Sequence, residues 1–255
     1  MMEITIKTLD NYREQIFNKC ANENGHKWIF RGQPVDEPLK AKFWRNYPGI
    51  EDIPDIGEKH KKLLDSFRNS INASEYKIRY DKPILQLGQH YGMDTTLLDW
   101  TIDPAIALFF PLLSDQEIWI YGLKTCETWV DNKDTCLSIY DPCNFLQWNK
   151  IDYFVYMPEL LKINHNIRAQ KGLFTYIKPC KSEKPEEPIK IEIAQVVGEN
   201  DNGLIKFKIN DDNKNIILKS ILNEYPELRY TPFFLQTKSH ELNNKLKAIA
   251  GQKIT

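Results

Sequence analysis

Residues 89–110 read QHYGMDTTLLDWTIDPAIALFF, and the apolar run that ends this stretch follows hydroxyls, an imidazole, a carboxylate and an indole. TTLLDW predicts a short extended segment. Asp103-Pro104 predicts a helix start, since aspartate caps free backbone amides and proline is tolerated in the first turn. The apolar residues that follow predict a buried helix to about Leu113. Such a helix does not require the polar residues before it, so these are candidates for a functional site.

The sequence on both sides of this stretch predicts helices mixed with short strands. Helices are predicted at residues 9–20, at residues 58–80, from near Pro83 to a stop at Gly92, in NIILKSILNEYP and in SHELNNKLKAIAG. Strands are predicted in KWIFRGQ, EIWIYGL, CLSIYD, GLFTYIK, IKIEIAQV and LIKFKI. Strands and helices do not alternate regularly, which favours an α+β fold with helices packed on short, mainly antiparallel strands. The length allows one large or two small domains, and we favour one domain over residues 1–255.

The composition excludes several broad classes of protein. The 34 basic and 35 acidic residues give a formal net charge of -1, which announces neither a polybasic nucleic-acid surface nor an acidic tail. The longest apolar run, residues 105–113, is shorter than the roughly 20 residues that span a bilayer. The first residues lack a signal-peptide pattern, so we expect a cytoplasmic protein without a membrane partner. The five cysteines are widely spaced, which predicts reduced thiols and no metal site.

Arg31 in IFRGQ is the first candidate site residue. It lies at the end of a predicted strand beside Gly32, where a phosphate could approach the backbone and meet the paired donors of a guanidinium. A salt bridge to a neighbouring carboxylate is the structural alternative.

The central stretch provides the second group of candidates. With the core leucines and the cap Asp103 set aside, the polar residues that remain are His90, Thr95, Thr96, Asp99, Trp100 and Thr101. They lead into a helix N-terminus, where free amides and the helix dipole favour an anionic ligand. Two structural alternatives stay open, because Asp99 could pair with a buried Arg31 and His90 could be an ordinary structural histidine.

The third candidate segment is NIRAQKGLFTY, in which Arg168 and Gln170 alternate along a predicted strand start before Gly172. An ordinary polar strand edge is the alternative. The sequence contains no glycine-rich phosphate loop, no G-x-S-x-G elbow and no H-E-x-x-H motif.

Taken together, WIFRGQ, QHYGMDTTLLDWTIDPAIALFF and NIRAQKGLFTY resemble the three signature blocks of the FRG domain family, in order and in spacing. The Phe-Arg-Gly of the family name stands here as Phe30-Arg31-Gly32. The resemblance covers residues 28–33, 89–110 and 166–176, and extends more loosely over residues 189–255. It implies a bacterial or phage protein in the cytoplasm, without implying one settled biochemical activity.

A more distant resemblance links the chain to the arginine-serine-glutamate ADP-ribosyltransferases. An arginine-glycine pair at a strand end, followed by a hydroxyl-bearing strand and an Ala-x-x-Phe helix, is similar to their first two motifs. The resemblance implies an ADP-ribosyltransferase-like fold with NAD as substrate. Arg31 would then grip the phosphate, and Thr96 or Thr101 would occupy the hydroxyl motif. Gln170 is nearest to the family's glutamate, but an amide does not supply the negative charge that stabilises a cationic ribose.

These arguments lead to one predicted site and two functional hypotheses. We predict that the three blocks converge in space, with Asp99 and Gln170 as candidate catalytic residues and the others as ligand-binding residues. These others are Arg31, Gly32, His90, Thr96, Trp100, Thr101 and Arg168. The first hypothesis is a cleft for a nucleotide-like, phosphate-bearing ligand, with NAD-dependent ADP-ribosyl transfer or NAD hydrolysis as its specific form. The second is a non-catalytic interaction domain in which the same residues form a structural polar network.

Overall fold

The computed structural model has helices packed on a mixed sheet, which confirms the predicted α+β class. It describes residues 2–20, 27–47, 49, 56–70, 81–90, 92–126, 137–140, 153–156, 165–177, 179, 191–197, 203–211 and 213–230. The helices are α1 (Leu9–Lys19), α2 (Lys42–Asn46), α3 (Ile56–Ser70), α4 (Asp81–His90), α5 (Pro104–Leu112), α6 (His165–Ala169), α7 (Ile193–Val197) and α8 (Lys214–Glu224), followed by a 3-10 helix (Pro226–Tyr230). The strands are β1 (Met2–Ile6), β2 (Lys27–Gln33), β3 (Leu97–Thr101), β4 (Ile118–Cys126), β5 (Leu137–Tyr140), β6 (Tyr153–Tyr156), β7 (Gly172–Ile177) and β8 (Leu204–Asp211).

The strands of the described residues form one sheet in the order β1-β8-β4-β2-β3-β7-β6-β5. Five of their eight pairings are antiparallel, as predicted, and the pairings β1–β8, β4–β5 and β5–β6 are parallel. Strand β4 leaves β8 after Leu123 and pairs with β5 from Thr125. The sheet therefore closes into a ring of six strands, with β8 and β1 extending from β4.

The junction between β2 and β3 is the weakest in this ring. Phe30 and Thr101 form the one ladder position between them, whereas β2 pairs with β4 over seven positions and β3 pairs with β7 over five. Beyond Phe30 the backbones of β2 and β3 do not bond to each other, so a gap opens beside Arg31.

Helix α5 is the centre of the larger core. Asp103 caps it by accepting a hydrogen bond from the Ala105 amide at 3.0 Å, as predicted. Its seven buried residues pack with apolar side chains of β1, α1, β4, β8 and α8. Gly32 of β2 lies so close to α5 that a Cβ there would be 1.9 Å from the carbonyl oxygen of Ala107. This backbone-to-backbone approach requires glycine at position 32.

The predicted strand in IKIEIAQV is wrong, because residues Ile193–Val197 form helix α7. Gln195 explains the helix. Its Oε1 accepts hydrogen bonds from the amides of Ile191 at 2.7 Å and Glu192 at 3.2 Å, which satisfies donors before the first helical turn in the manner of a capping box. Alternating apolar residues predicted a strand, and the side chain of Gln195 favours a helix instead.

The predicted strand start at Arg168 and Gln170 is also wrong. Arg168 is in helix α6, Gln170 is in a turn, and β7 begins at Gly172. The Lys171 amide donates to the Arg168 carbonyl at 3.0 Å, and Lys171 has a left-handed φ of 45°. The turn therefore reverses the chain before β7, so Arg168 and Gln170 do not alternate on one strand.

Several other elements differ from the sequence-based expectation. Strands β1 and β6 and helix α2 were not predicted. Helix α3 ends at Ser70, and the rest of the helix predicted to residue 80 falls outside the described residues, as does the helix predicted in SHELNNKLKAIAG. In the described part of the chain, no helix combines the length and the apolar character needed to cross a bilayer.

Candidate ligand-binding cleft

A cleft of about 320 Å³ opens where β2, β3 and α5 meet. Its lining contains residues from all three predicted blocks, which confirms that the blocks converge. The lining residues are Phe30, Arg31, Gly32, Asp99, Trp100, Thr101, Ala107, Phe110 and Gln170. Nearly 140 residues separate Arg31 from Gln170 in the chain, and the pairing of β3 with both β2 and β7 brings them together.

Arg31 spans the gap between β2 and β3. Its Nη1 donates to the backbone carbonyl of Asp99 at 2.9 Å, and its Nε donates weakly to Oε1 of Gln33 at 3.4 Å. Burial lowers the pKa of Arg31, and the nearby charge of Arg45 lowers it further, while Asp99 acts in the opposite direction. No ion pair between described residues involves Arg31. The alternative of a structural salt bridge is therefore not what this geometry shows.

The carboxylate of Asp99 is exposed to solvent, and a hydrogen bond from Gln89 holds it in place. The Nε2 of Gln89 donates to Oδ2 of Asp99 at 2.9 Å. The hydroxyl of Thr95 donates in turn to Oε1 of Gln89, which fixes the orientation of the amide. The structural alternative of a buried pair between Asp99 and Arg31 is not formed, because Arg31 bonds to the carbonyl of Asp99 and not to its carboxylate.

The N-terminus of α5 is occupied by its own side chains. Thr101 Oγ1 accepts from the Asp103 amide at 3.1 Å, and the other carboxylate oxygen of Asp103 accepts from Lys171 at 2.8 Å and Tyr225 at 2.7 Å. Burial alone would raise the pKa of Asp103, but these hydrogen bonds and the charge of Lys171 lower it overall. The amides of Asp103 and Ala105 at this helix end are therefore bonded to side chains of the protein itself and are not free for an anion.

Trp100 and Thr96 are placed differently from the other candidates. The indole of Trp100 is 3% exposed, packs in the core and donates to Oγ1 of Thr175 at 2.9 Å. Trp100 therefore contributes to the cleft wall while its polar atom is already bonded. Thr96 does not line the cleft, and its buried hydroxyl has no hydrogen-bond partner among the residues that the structure describes.

Arg168 is not among the described residues that line the cleft. His90 is the last residue of α4, and its side chain is outside the described part of the structure. Arg168 is exposed on α6.

Sequence reasoning missed four residues that shape the site, namely Phe30, Gln89, Ala107 and Phe110. Ala107 and Phe110 belong to the predicted apolar helix, which by itself indicates burial and no site. Their spacing of three residues, which places both on the same helix face as Asp103, was the signal available in the sequence. Gln89 gave no such signal, since its contact with Asp99 depends on how α4 packs beside β3.

The comparison of the chain with known families agrees with these positions. Residues 26–117 match the family model of the FRG domain. This part of the chain is therefore similar to the FRG domain. The FRG match contains eight of the nine residues that line the cleft, and Gln170 is the exception. No curated protein and no solved structure matches the chain.

Proposed function

We propose that the cleft of the FRG domain binds a nucleotide-like ligand through a phosphate group, with Arg31 as the principal donor. The observation that carries this proposal is the uncompensated charge of Arg31. Its guanidinium lies in the cleft, desolvated, and bonds to a backbone carbonyl and a side-chain amide without an ion-pair partner among described residues. A partly desolvated cation without an ion-pair partner gains from a bound anion, and a phosphate offers it charge-assisted hydrogen bonds.

The specific form of the proposal is NAD-dependent glycosyl transfer or hydrolysis. Asp99 and Gln170 line the same cleft as Arg31, together with Thr101, which ends the strand that carries Asp99. Cleavage of the bond between nicotinamide and ribose passes through a cationic sugar, which a nearby carboxylate stabilises. Asp99 supplies this charge, and Gln170 supplies hydrogen bonds to hydroxyl groups. The likeness to ADP-ribosyltransferase motifs supports this assignment.

The second candidate is a non-catalytic interaction domain, and a specific group of contacts favours it. Trp100 bonds to Thr175, Thr101 bonds to the Asp103 amide, and Asp103 bonds to Lys171 and Tyr225. These bonds satisfy polar groups of the central block without a ligand. These bonds give those residues a structural role, but they provide no ion-pair partner for the charge of Arg31 among the described residues.

A binding measurement tests the phosphate site. Arg31→Ala should weaken the binding of NAD by more than about tenfold, because a charged hydrogen bond contributes about 1.5–3 kcal/mol. Isothermal titration calorimetry and NAD-dependent thermal stabilisation provide the measurement. Arg229→Ala, which removes an exposed arginine of the 3-10 helix, is the matched control and should leave the affinity unchanged. Equal binding by wild type and Arg31→Ala would contradict the proposal.

Nicotinamide release distinguishes the enzyme from the binding domain. If the protein is an enzyme, Asp99→Asn should lower turnover far more than NAD affinity, because asparagine still accepts a hydrogen bond from Gln89 but lacks the charge. Gln170→Glu should raise turnover by adding a second carboxylate. Binding of NAD by a well-folded protein, without release from any of these variants, would establish the non-catalytic function.

A further inference from the structure

We infer that the cleft accepts a ligand of mononucleotide size, in which one planar ring stacks on Phe110 and one phosphoryl group bonds to Arg31. This inference rests on the proposed phosphate site and adds the second half of the ligand. It assigns Phe110, the last residue of the central block but not one of the predicted site residues, as the side chain that selects for a ring.

The cleft has one polar side and one apolar side. Arg31, Asp99, Thr101 and Gln170 provide the polar groups, whereas Phe30, Ala107 and Phe110 provide apolar surface. A free phosphate or a sugar phosphate does not require the apolar surface. A ligand that uses both sides combines an anionic group with a flat apolar one.

Among the described aromatic residues of the lining, Phe110 has surface available to a ligand, whereas Trp100 is 3% exposed. Phe30 is 6% exposed and belongs to the core, while Phe110 is half-buried at the edge of that core. The ring of Phe110 packs edge-to-face against Phe109, with ring centroids 5.4 Å apart, and this contact restrains its orientation. A restrained aromatic ring at a cleft wall is suited to stacking on a planar ligand at low entropic cost.

The close packing of β2 on α5 fixes the distance between the two halves of the site. A Cβ on Gly32 would meet both the carbonyl of Ala107 and the ring of Pro111, so the turn of α5 that carries Phe110 lies directly against the residue that follows Arg31. The phosphate site and the aromatic surface therefore belong to one continuous wall.

The volume limits the ligand. Small-molecule pockets cover roughly 300–1,000 Å³, and about 320 Å³ is at the lower end of that range. Space of this size suits one ring, one sugar and one phosphoryl group. The second nucleotide of a dinucleotide would therefore lie outside the cleft.

Calorimetry with parts of one ligand tests the inference on the full chain. The probes are ribose 5-phosphate, nicotinamide mononucleotide, AMP and NAD. At least one mononucleotide should bind more tightly than ribose 5-phosphate. The affinity for NAD should exceed the affinity for that mononucleotide by less than about tenfold. Phe110→Leu should weaken binding of the mononucleotide by about three- to tenfold, because leucine keeps apolar volume but lacks the aromatic face. The affinity for ribose 5-phosphate should stay unchanged.

Phe17→Leu is the matched control, since Phe17 is 70% exposed on α1, away from the cleft lining, and its loss should change neither affinity. Equal affinity for ribose 5-phosphate and both mononucleotides would overturn the aromatic assignment while leaving the phosphate site intact. An affinity for NAD several hundredfold higher than for both mononucleotides would overturn the conclusion that the cleft holds only one nucleotide. Absence of binding by all four probes would overturn both this inference and the proposed function.

Discussion

Arg31 and Asp99 lie side by side, yet the hydrogen bond between them joins a side chain to a backbone. In a strand the carbonyl lies in the plane of the sheet, while the side chain points out of it. Arg31 therefore occupies the gap where the ladder between β2 and β3 stops, and donates to the Asp99 carbonyl in place of a strand amide. The carboxylate of Asp99 is thereby left to accept from Gln89 and to face solvent.

At the same scale, Asp103 should make stability depend on acid pH. Its pKa is lowered in the folded protein, so the charged carboxylate stabilises the fold above its unfolded-state pKa of about 3.9. This contribution is lost as the pH falls through the folded-state pKa. Between about pH 5 and pH 2, the free energy of unfolding should fall further for wild type than for Asp103→Asn, measured by urea denaturation.

The control for this measurement is Asp10→Asn, which removes an exposed carboxylate from the first turn of α1. It should follow the wild-type profile closely. If Asp103→Asn instead shows the same acid dependence as wild type, the hydrogen bonds from Lys171 and Tyr225 do not act on stability through the charge of Asp103.

At the scale of elements, the contact between β2 and α5 determines the shape of the cleft. Gly32 allows the strand to touch the helix backbone, and the missing ladder beyond Phe30 keeps β3 apart from β2 on the other side. Strand β2 is thus packed tightly against α5 and only loosely against β3. The cleft is the space that this asymmetry leaves.

Gly32→Ala should consequently be more costly than an ordinary glycine substitution. The new methyl group would meet a backbone oxygen at 1.9 Å, which cannot move without displacing α5. We expect a loss of about 1–3 kcal/mol in the free energy of unfolding, together with weaker ligand binding. Gly122→Ala is the control, because its methyl group would meet the side chain of Trp28 at 3.3 Å and should cost less. A smaller loss at Gly32 than at Gly122 would show that α5 adapts to the methyl group.

At the scale of the whole molecule, distant parts of the chain support the helix that forms the cleft. Tyr12 of α1 donates to the Pro104 carbonyl at 2.9 Å, and Arg13 forms two hydrogen bonds with Glu224 of α8. Tyr225 then donates to Asp103 at the start of α5. The elements on either side of the FRG match are therefore part of the support for the cleft, although α1 and α8 lie outside the matched residues.

Two neighbouring residues of α8 test this support. Ile217 is fully buried in the core that contains α5, and Ile216 is 61% exposed. Ile217→Ala should lower the free energy of unfolding by about 2–5 kcal/mol, whereas Ile216→Ala should leave it nearly unchanged. Urea denaturation measures both. Similar values for the two variants would mean that α8 contributes little to the core around α5.

The sequence by itself determined the elements whose signals are local. The Asp103-Pro104 cap, the apolar residues of α5 and the strand in KWIFRGQ follow from side chains that act within a few residues of one another. The predicted strand end at Gly32 is wrong, because Gly32 and Gln33 still pair with β4. The α+β class follows from their order along the chain. Local rules failed where a single side chain or turn outweighed periodicity, as with Gln195 in α7 and Lys171 before β7.

The tertiary structure decided which of the polar residues share a site. Arg31, Asp99 and Gln170 meet because β3 pairs with both β2 and β7, a choice set by contacts across more than 60 residues of chain. The same packing turned Trp100 toward Thr175 and the core, left Thr96 outside the cleft, and brought Gln89 to Asp99. Sequence periodicity specifies which face a residue occupies on its own element, whereas the neighbour of that face depends on long-range pairing, which no local pattern encodes.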